Sequence, residues 1–427
     1  MTRKFLLLTD IPPHQQSTGG LFLNEMARLL PAGSLAVFST IHPFFDNELI
    51  LSPDVGDAPY QHVSAPYGRQ WVKRIDRYMG RISGSVSSFV LEQVIERYHL
   101  PRILKQVKDF GQNFGADAVW TVLQSPLMFR LARRVAKALD VPLYSFVMDP
   151  PNWWLEHNLF DTISARCVMQ EYESSLRESV AVGCGSWNMA EEYHRLYGTR
   201  TVAIVPSQPA TAALPPATSR HHDNKFVLGF AGQLYATAEW QALIRALNSV
   251  NWRIGNHEII LRLMGDINLI SDAKTPNLPV NIEMLGWRSQ SEVIKLLSES
   301  DACYCPYRFD KLHEDEARLA FPGKLTTYLS TGRPVFFHGP DYSSPGQFLA
   351  KHDAGILCHS LDTTEIIARL TALINDPARY ATVAQNGTRT FHNHLTLASQ
   401  RASVAAFLDI SAENLRPLDM FTQKATL

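Results

Sequence analysis

Several things are scarce or missing in this chain, and each absence narrows what it does. There is no run of about 18 apolar residues, so no membrane-spanning helix is expected. There is no excess charge of one sign: 40 Lys and Arg stand against 41 Asp and Glu, a net charge of -1, which argues against a global basic field for nucleic acid. Cysteine is scarce, five in 427 residues, and the odd count without regular spacing points to a reducing compartment rather than a disulfide scaffold. Cys303-x-Cys305 falls in an expected strand, where the two side chains face opposite ways, so packing is expected there rather than a metal. Lys4 followed by Phe5–Leu8 is too short for a secretory core. A cytoplasmic location is therefore expected, with contact to the inner face of the membrane left open. No repeats, low-complexity stretch or Asp-x-Asp metal motif stand out.

What is present is an ordinary soluble composition, 45% apolar and 19% charged, at a length that suggests about two domains. Short apolar runs alternate with helical periodicity. Phe5–Leu8, Ser34–Ser39, Ala118–Val122, Leu143–Met148, Val180–Gly183 and Val202–Val205 read as strands of one parallel sheet. Phe226–Phe230, Ile259–Met264, Ile282–Leu285, Ala302–Cys305 and Val335–Phe337 read as strands of a second. Between them, Pro206–Asn224 is rich in Pro, Ala and Thr and reads as a linker. The expected domains are 1–205, a linker 206–224, a second domain 225–395, and a closing helix within 396–427 that returns to the first.

The most informative stretch is Phe321–Gly339, FPGKLTTYLSTGRPVFFHG. Pro322 and Gly323 suit a helix start, Leu325, Tyr328 and Leu329 share one face, and Gly332 with Pro334 ends the helix before a buried strand. Lys324 is the odd residue, because a cation in the first turn opposes the helix dipole by about 0.3–1 kcal/mol. A lysine beside free N–H groups makes an anion site suited to phosphate; alone it would more often be a solvated surface lysine.

Pro322-x-Lys324 followed by Tyr328-Leu329-x-x-Gly332-x-Pro334-Val335 resembles the donor-binding segment of GT-B glycosyltransferases, and is most similar to family 4-like bacterial enzymes. The resemblance implies an α/β GT-B fold, two Rossmann-like domains with mostly parallel sheets facing a central cleft. It also implies that Lys324, with the backbone around Pro322, Gly323, Leu325 and Thr326, holds a nucleotide diphosphate. Relatives place a glycine turn beside the donor phosphates after the first strand of the second domain. Here that turn is Gly232-Gln233, without a lysine, which either weakens the diphosphate site or hands more of its charge to Lys324 and Arg262. The residues around Gly286 correspond to those bordering the nucleotide base.

In the first domain, Gly19-Gly20 stands before an expected helix near Leu21 and lets backbone approach a ligand closely, so both glycines join the donor set. Asp149 follows the end of a parallel strand, where a side chain points into the sheet's ligand crevice; it is taken as the catalytic residue near the reacting carbon. His14, Trp153 and Trp154 are assigned to the acceptor, although the two tryptophans suit a core equally well. Many relatives carry two glutamates eight positions apart; matched on Gly332-x-Pro334-Val335, those positions hold Leu319 and Thr327. Glu314, Asp315 and Glu316 have the wrong spacing and read as a solvated acidic loop, part of the polar loop Phe309–Ala320.

Residues 69–82 combine Arg69, Lys73, Arg74, Arg77 and Arg81 with Trp71, Ile75, Tyr78 and Ile82. This is either a solvated helix face or a basic aromatic face that meets anionic lipid. The function expected from the resemblance is transfer of a sugar from a nucleotide-diphosphate sugar to a glycan or lipid-linked acceptor, in surface polysaccharide or glycoconjugate synthesis. It is expected to be metal-independent, retaining, and without a cofactor beyond the donor itself. Nucleic acid is not an expected partner. Two other readings stay open: a sugar-nucleotide 2-epimerase, and a non-catalytic GT-B subunit that binds a partner enzyme.

Overall fold

The computed structural model describes residues 3–41, 50–66, 68–152, 155, 158–265 and 279–418. The chain divides into two compact units, Met1–Ile204 with Arg401–Leu427, and Val205–Gln400.

The first unit carries β1 (Phe5–Thr9), α1 (Thr18–Ala27), β2 (Leu35–Ile41), β3 (Tyr60–Ser64), α2 (Arg69–Met79), α3 (Arg81–Val94), α4 (Leu100–Phe114), β4 (Ala118–Val122), α5 (Pro126–Leu139), β5 (Leu143–Val147), α6 (Thr162–Glu178), β6 (Ala181–Cys184), α7 (Trp187–Tyr197) and β7 (Thr201–Ala203). Its sheet has the order β3-β2-β1-β4-β5-β6-β7, and every pair is parallel. All residues of β1, β4 and β5 are buried, as expected of parallel strands covered by helices on both faces. Trp120 and Tyr144 meet Phe407 edge-on at 6.3 and 6.1 Å, so the returning end of the chain completes this core.

The second unit carries β8 (Lys225–Ala231), α8 (Thr237–Ser249), β9 (Arg253–Ile254), β10 (His257–Met264), β11 (Ile282–Gly286), α9 (Gln290–Ser298), β12 (Ala302–Pro306), α10 (Glu314–Leu319), α11 (Gly323–Ser330), β13 (Val335–His338), α12 (Ser344–His352), β14 (Gly355–Cys358), α13 (Thr363–Asn375) and α14 (Pro377–His394), with α15 (Leu397–Leu408) leading back to the first unit. The sheet order is β11-β10-β8-β12-β13-β14, with β9 pairing antiparallel on β10. Strand order reverses beside β8, between β10 and β12, and in open α/β sheets ligands gather at the carboxyl ends of strands around such a point.

Local chemistry explains where the structure departs from the sequence reading. Ser17 accepts the N–H of Gly20 and caps α1, so Gly19 and Gly20 lie inside the first helical turn rather than ahead of it. Gly80, at φ 83°, splits the basic stretch into α2 and α3. The expected polar loop Phe309–Ala320 instead forms a turn at Lys311–His313, which Asp310 caps, and then α10. Three acids in the first turn of α10 favour a helix start. The β14 strand and the α12 helix were not expected. Pro206–Asn224 is tied down on the second unit: Leu214 donates to Ser330 O and Ala217 to Gly332 O, and the buried Asp301 accepts from the amides of His221 and Val227.

Candidate functional site

The second unit places α11 against β8 through Tyr328, whose hydroxyl accepts from Ala231 N and donates to Ala231 O. The helix start is thereby held beside Gly232, the residue that follows β8. Pro322 is the N-cap and offers no side-chain hydrogen bond, so the first-turn N–H groups have no side-chain cap and present the positive end of the helix.

Lys324 reaches back over the end of β8. Its Nζ donates to Gln233 O at 3.1 Å and sits 4.8 Å from the Phe230 ring centre and 4.5 Å from that of Tyr235. No carboxylate among the described residues lies within ion-pair distance. Burial pushes the amine down to about 8. A cation held on two aromatic faces and one carbonyl, desolvated and without a counter-ion among the described residues, favours an arriving anion.

The sequence reading missed a second cation. Arg308 follows β12, donates Nε to Tyr235 O at 3.2 Å and lies 5.1 Å from the Tyr235 ring centre. It too has no ion-pair partner among the described residues. Lys324 and Arg308 therefore converge on one tyrosine. The available signal for Arg308 was its position directly after a parallel strand, the same rule that singled out Asp149. Beside it, Glu239 in the first turn of α8 is 1% exposed and accepts the Phe309 N–H. Burial raises its pKa, Asp310 adding to the rise and Arg308 opposing it.

Three neighbouring strands end in glycines with positive φ: Gly232 (109°), Gly265 (107°) and Gly286 (68°). Gly232 N donates to Met264 O and Gly265 N to Gly286 O. A Cβ on Gly265 would stand 2.7 Å from Gly232 O, so the strand ends approach too closely for any side chain.

The remaining expected residues are placed as follows. Leu325 is fully buried in the core. Thr326 donates its hydroxyl to Pro206 O at 2.7 Å, and Gly323 packs near Pro206; these three contribute backbone at most. Arg262, on β10, donates Nε to Glu283 at 2.8 Å and is engaged in that pair rather than on Tyr235. Leu319 is 4% exposed, and the Thr327 hydroxyl accepts from Gln208 and Gln290.

In the first unit, His14 is 2% exposed. Its Nδ1 accepts from Gln16 N and its Nε2 meets Ser17 Oγ at 3.0 Å, and burial lowers its pKa, so the ring is neutral and braces the start of α1. Gly20 leaves it room, because a Cβ there would stand 2.1 Å from the imidazole. Gly19 faces Met148. Asp149 is exposed just past β5. Trp153 and Trp154 lie outside the described residues. Asp10, which the sequence reading left unassigned, follows β1; Thr40 and Ser125 donate to its Oδ1 at 3.0 and 2.8 Å. Its Oδ2 is buried without a partner among the described residues, and burial raises its pKa to about 6.

Two doubly wound parallel sheets, with a cationic helix start at the carboxyl edge of the second, define a protein of the GT-B class. Anabaena HepE in complex with UDP superposes with a TM-score of 0.64 at 15% identity, covering 95% of this chain and 99% of that one. Sucrose-phosphate synthase from Thermosynechococcus elongatus gives 0.61 at 13%, covering 95% and 98%. The α,α-trehalose 6-phosphate synthase from Burkholderia multivorans gives 0.61 at 13%, covering 96% and 98%. No curated protein matches. Residues 225–376, within the second unit, match the family model described as Glycosyl transferases group 1, and the chain as a whole is similar in fold to these GT-B structures.

Proposed function

We propose that the chain transfers a sugar from a uridine-diphosphate sugar to a glycan or lipid-linked acceptor, in surface polysaccharide or glycoconjugate synthesis at the cytoplasmic face of a membrane. The observation that carries the donor reading is the convergence of Lys324 and Arg308 on Tyr235 without a carboxylate partner among the described residues, beside a helix start with no side-chain cap. A departing diphosphate needs cations and fixed dipoles aimed at its oxygens. Lys324 and Arg308 would supply the charge, the N–H groups of Gly323 and Lys324 the dipoles, and the glycine ends at Gly232 and Gly286 the space for phosphate and base. HepE, crystallised with UDP and with UDP-glucose, supports the choice of nucleotide. Transfer is proposed to be metal-independent and retaining, with Asp149 near the reacting carbon.

A thermal-shift panel of nucleotide sugars, followed by product analysis with and without acceptor, tests the reading. UDP-sugars should stabilise the protein most. Epimerised or hydrolysed donor formed without acceptor would instead support an isomerase, and binding without turnover a non-catalytic subunit.

Two further outcomes are expected. Arg308→Ala should weaken UDP binding about tenfold in calorimetry, the loss of one charge-assisted contact of about 1.5 kcal/mol. The affinity should also fall as pH rises through 8. The free amine of Lys324 is protonated below about 8, and the diphosphate favours the protonated form, so binding takes up a proton above that value. Calorimetry at neutral pH and about two units above the pKa reads this directly.

A further inference from the structure

The α3 helix is turned inside out. The residues it buries are Gly84, Ser88 and Glu92, and these are its polar or side-chain-free positions. Ser88 accepts from Arg69 and from Asp161 N, and donates to Asp161 Oδ2. Glu92 pairs with Arg69 and with Arg130. The outward face holds Ile82, Val86, Phe89, Val90 and Val94, all exposed, with Ile82 at 85%. These positions recur every three to four residues and form one continuous stripe. Adjoining it, α2 and its end expose Trp71, Tyr78 and Met79. Water-exposed apolar rows of this extent mark an interaction surface.

Charge says what covers it. Lys73, Arg74, Arg77 and Arg81 cluster beside the stripe, and none has an ion-pair partner among the described residues. Lys73, Arg74 and Arg77, with Gln70 and Tyr78, line a groove of about 490 Å³. Arg74 rests 5.2 Å from the Trp71 ring centre. Apolar side chains flanked by unpaired cations and amphipathic aromatics match the boundary between acyl chains and anionic headgroups. A second copy of this chain would set these cations against their like. No helix among the described residues is long and apolar enough to cross a membrane, so the contact is interfacial.

We infer that the α2–α3 hairpin is a membrane anchor: the α3 stripe enters the acyl boundary of a bilayer, and the α2 cations hold anionic phospholipid headgroups. This extends the basic-helix expectation for 69–82 to the whole of α3, and it stands independently of the donor site.

The test is co-sedimentation of the full chain with phosphatidylcholine vesicles, with and without phosphatidylglycerol. It compares wild type, Ile82→Asp with Val86→Asp, and Arg74→Glu with Arg77→Glu. All four positions are partly or fully exposed, so both variants should fold and keep wild-type UDP affinity, which separates this test from that of the donor site. Wild type should bind the anionic vesicles in a salt-sensitive way, and each double variant should bind at least about tenfold more weakly. Equal sedimentation of all three proteins, or no binding by wild type at any anionic lipid content, would overturn the inference. So would a wild-type dimer that Ile82→Asp with Val86→Asp converts to a monomer without loss of vesicle binding.

Discussion

Lys324→Ala is expected to weaken UDP binding by about a hundredfold or more while leaving the protein as stable as wild type, or more so. The binding loss follows from removing a desolvated cation from phosphate oxygens, at about 1.5–3 kcal/mol per charge-assisted hydrogen bond. The stability result follows from the opposite side of the same geometry. The amine is held on Phe230, Tyr235 and one carbonyl with no counter-ion among the described residues, and burial, which disfavours the charged form, lowers its pKa to about 8. At neutral pH the folded state therefore carries the cost of a charged, poorly solvated lysine. Removing it relieves that cost, as is common where function and stability oppose each other. Lys324→Met, which keeps contact with both rings, should show the higher melting temperature of the two variants. Calorimetry with UDP and a thermal melt without it read both halves. Wild-type affinity in either variant would contradict the binding assignment.

Gly265→Ala should be the most damaging of the strand-end substitutions. At φ 107° the backbone is in a region that side chains rarely adopt, a cost of roughly 1–3 kcal/mol. The new Cβ would also stand 2.7 Å from Gly232 O, 3.0 Å from its N and 3.1 Å from its C. These are backbone atoms, so relief requires moving the β8 end on which Lys324 and Gln233 depend. Gly286→Ala is the matched control. Its φ of 68° is left-handed but no described residue stands within 4 Å, so only the backbone cost of about 1 kcal/mol applies. Urea melts should separate the two by at least about 2 kcal/mol. Equal melts would mean that the three glycine ends are not packed as described.

Much of the second unit was legible because its signals are local. Gly332-x-Pro334 stops a helix by itself, and Lys324 is conspicuous because a first-turn cation needs a reason. Most strands of both sheets could be read because parallel strands buried on both faces are continuous apolar runs; β3, β9 and β14 were not. What could not be read depended on distant residues. Arg308 looks like a surface arginine until Tyr235, 73 positions earlier, is seen beneath it. Asp10 looks like a loop residue until Thr40 and Ser125 converge on it. Arg262 looks like a free cation until Glu283 on the adjacent strand takes it up. The α3 stripe was hidden for a related reason: an apolar period says that a helix has two faces, but not which one faces the protein. Only the partners of Ser88 and Glu92 settle that the polar side is the inner one.

The account turns on whether the Lys324 amine meets a diphosphate. The most direct measurement is its pKa by lysine-selective NMR, without nucleotide and with saturating UDP. Free, it should titrate near 8; with UDP bound, the neighbouring negative charge should raise it to the ordinary lysine value of about 10.4 or beyond. An amine that titrates near 8 in both states would place the nucleotide elsewhere and contradict the assignment.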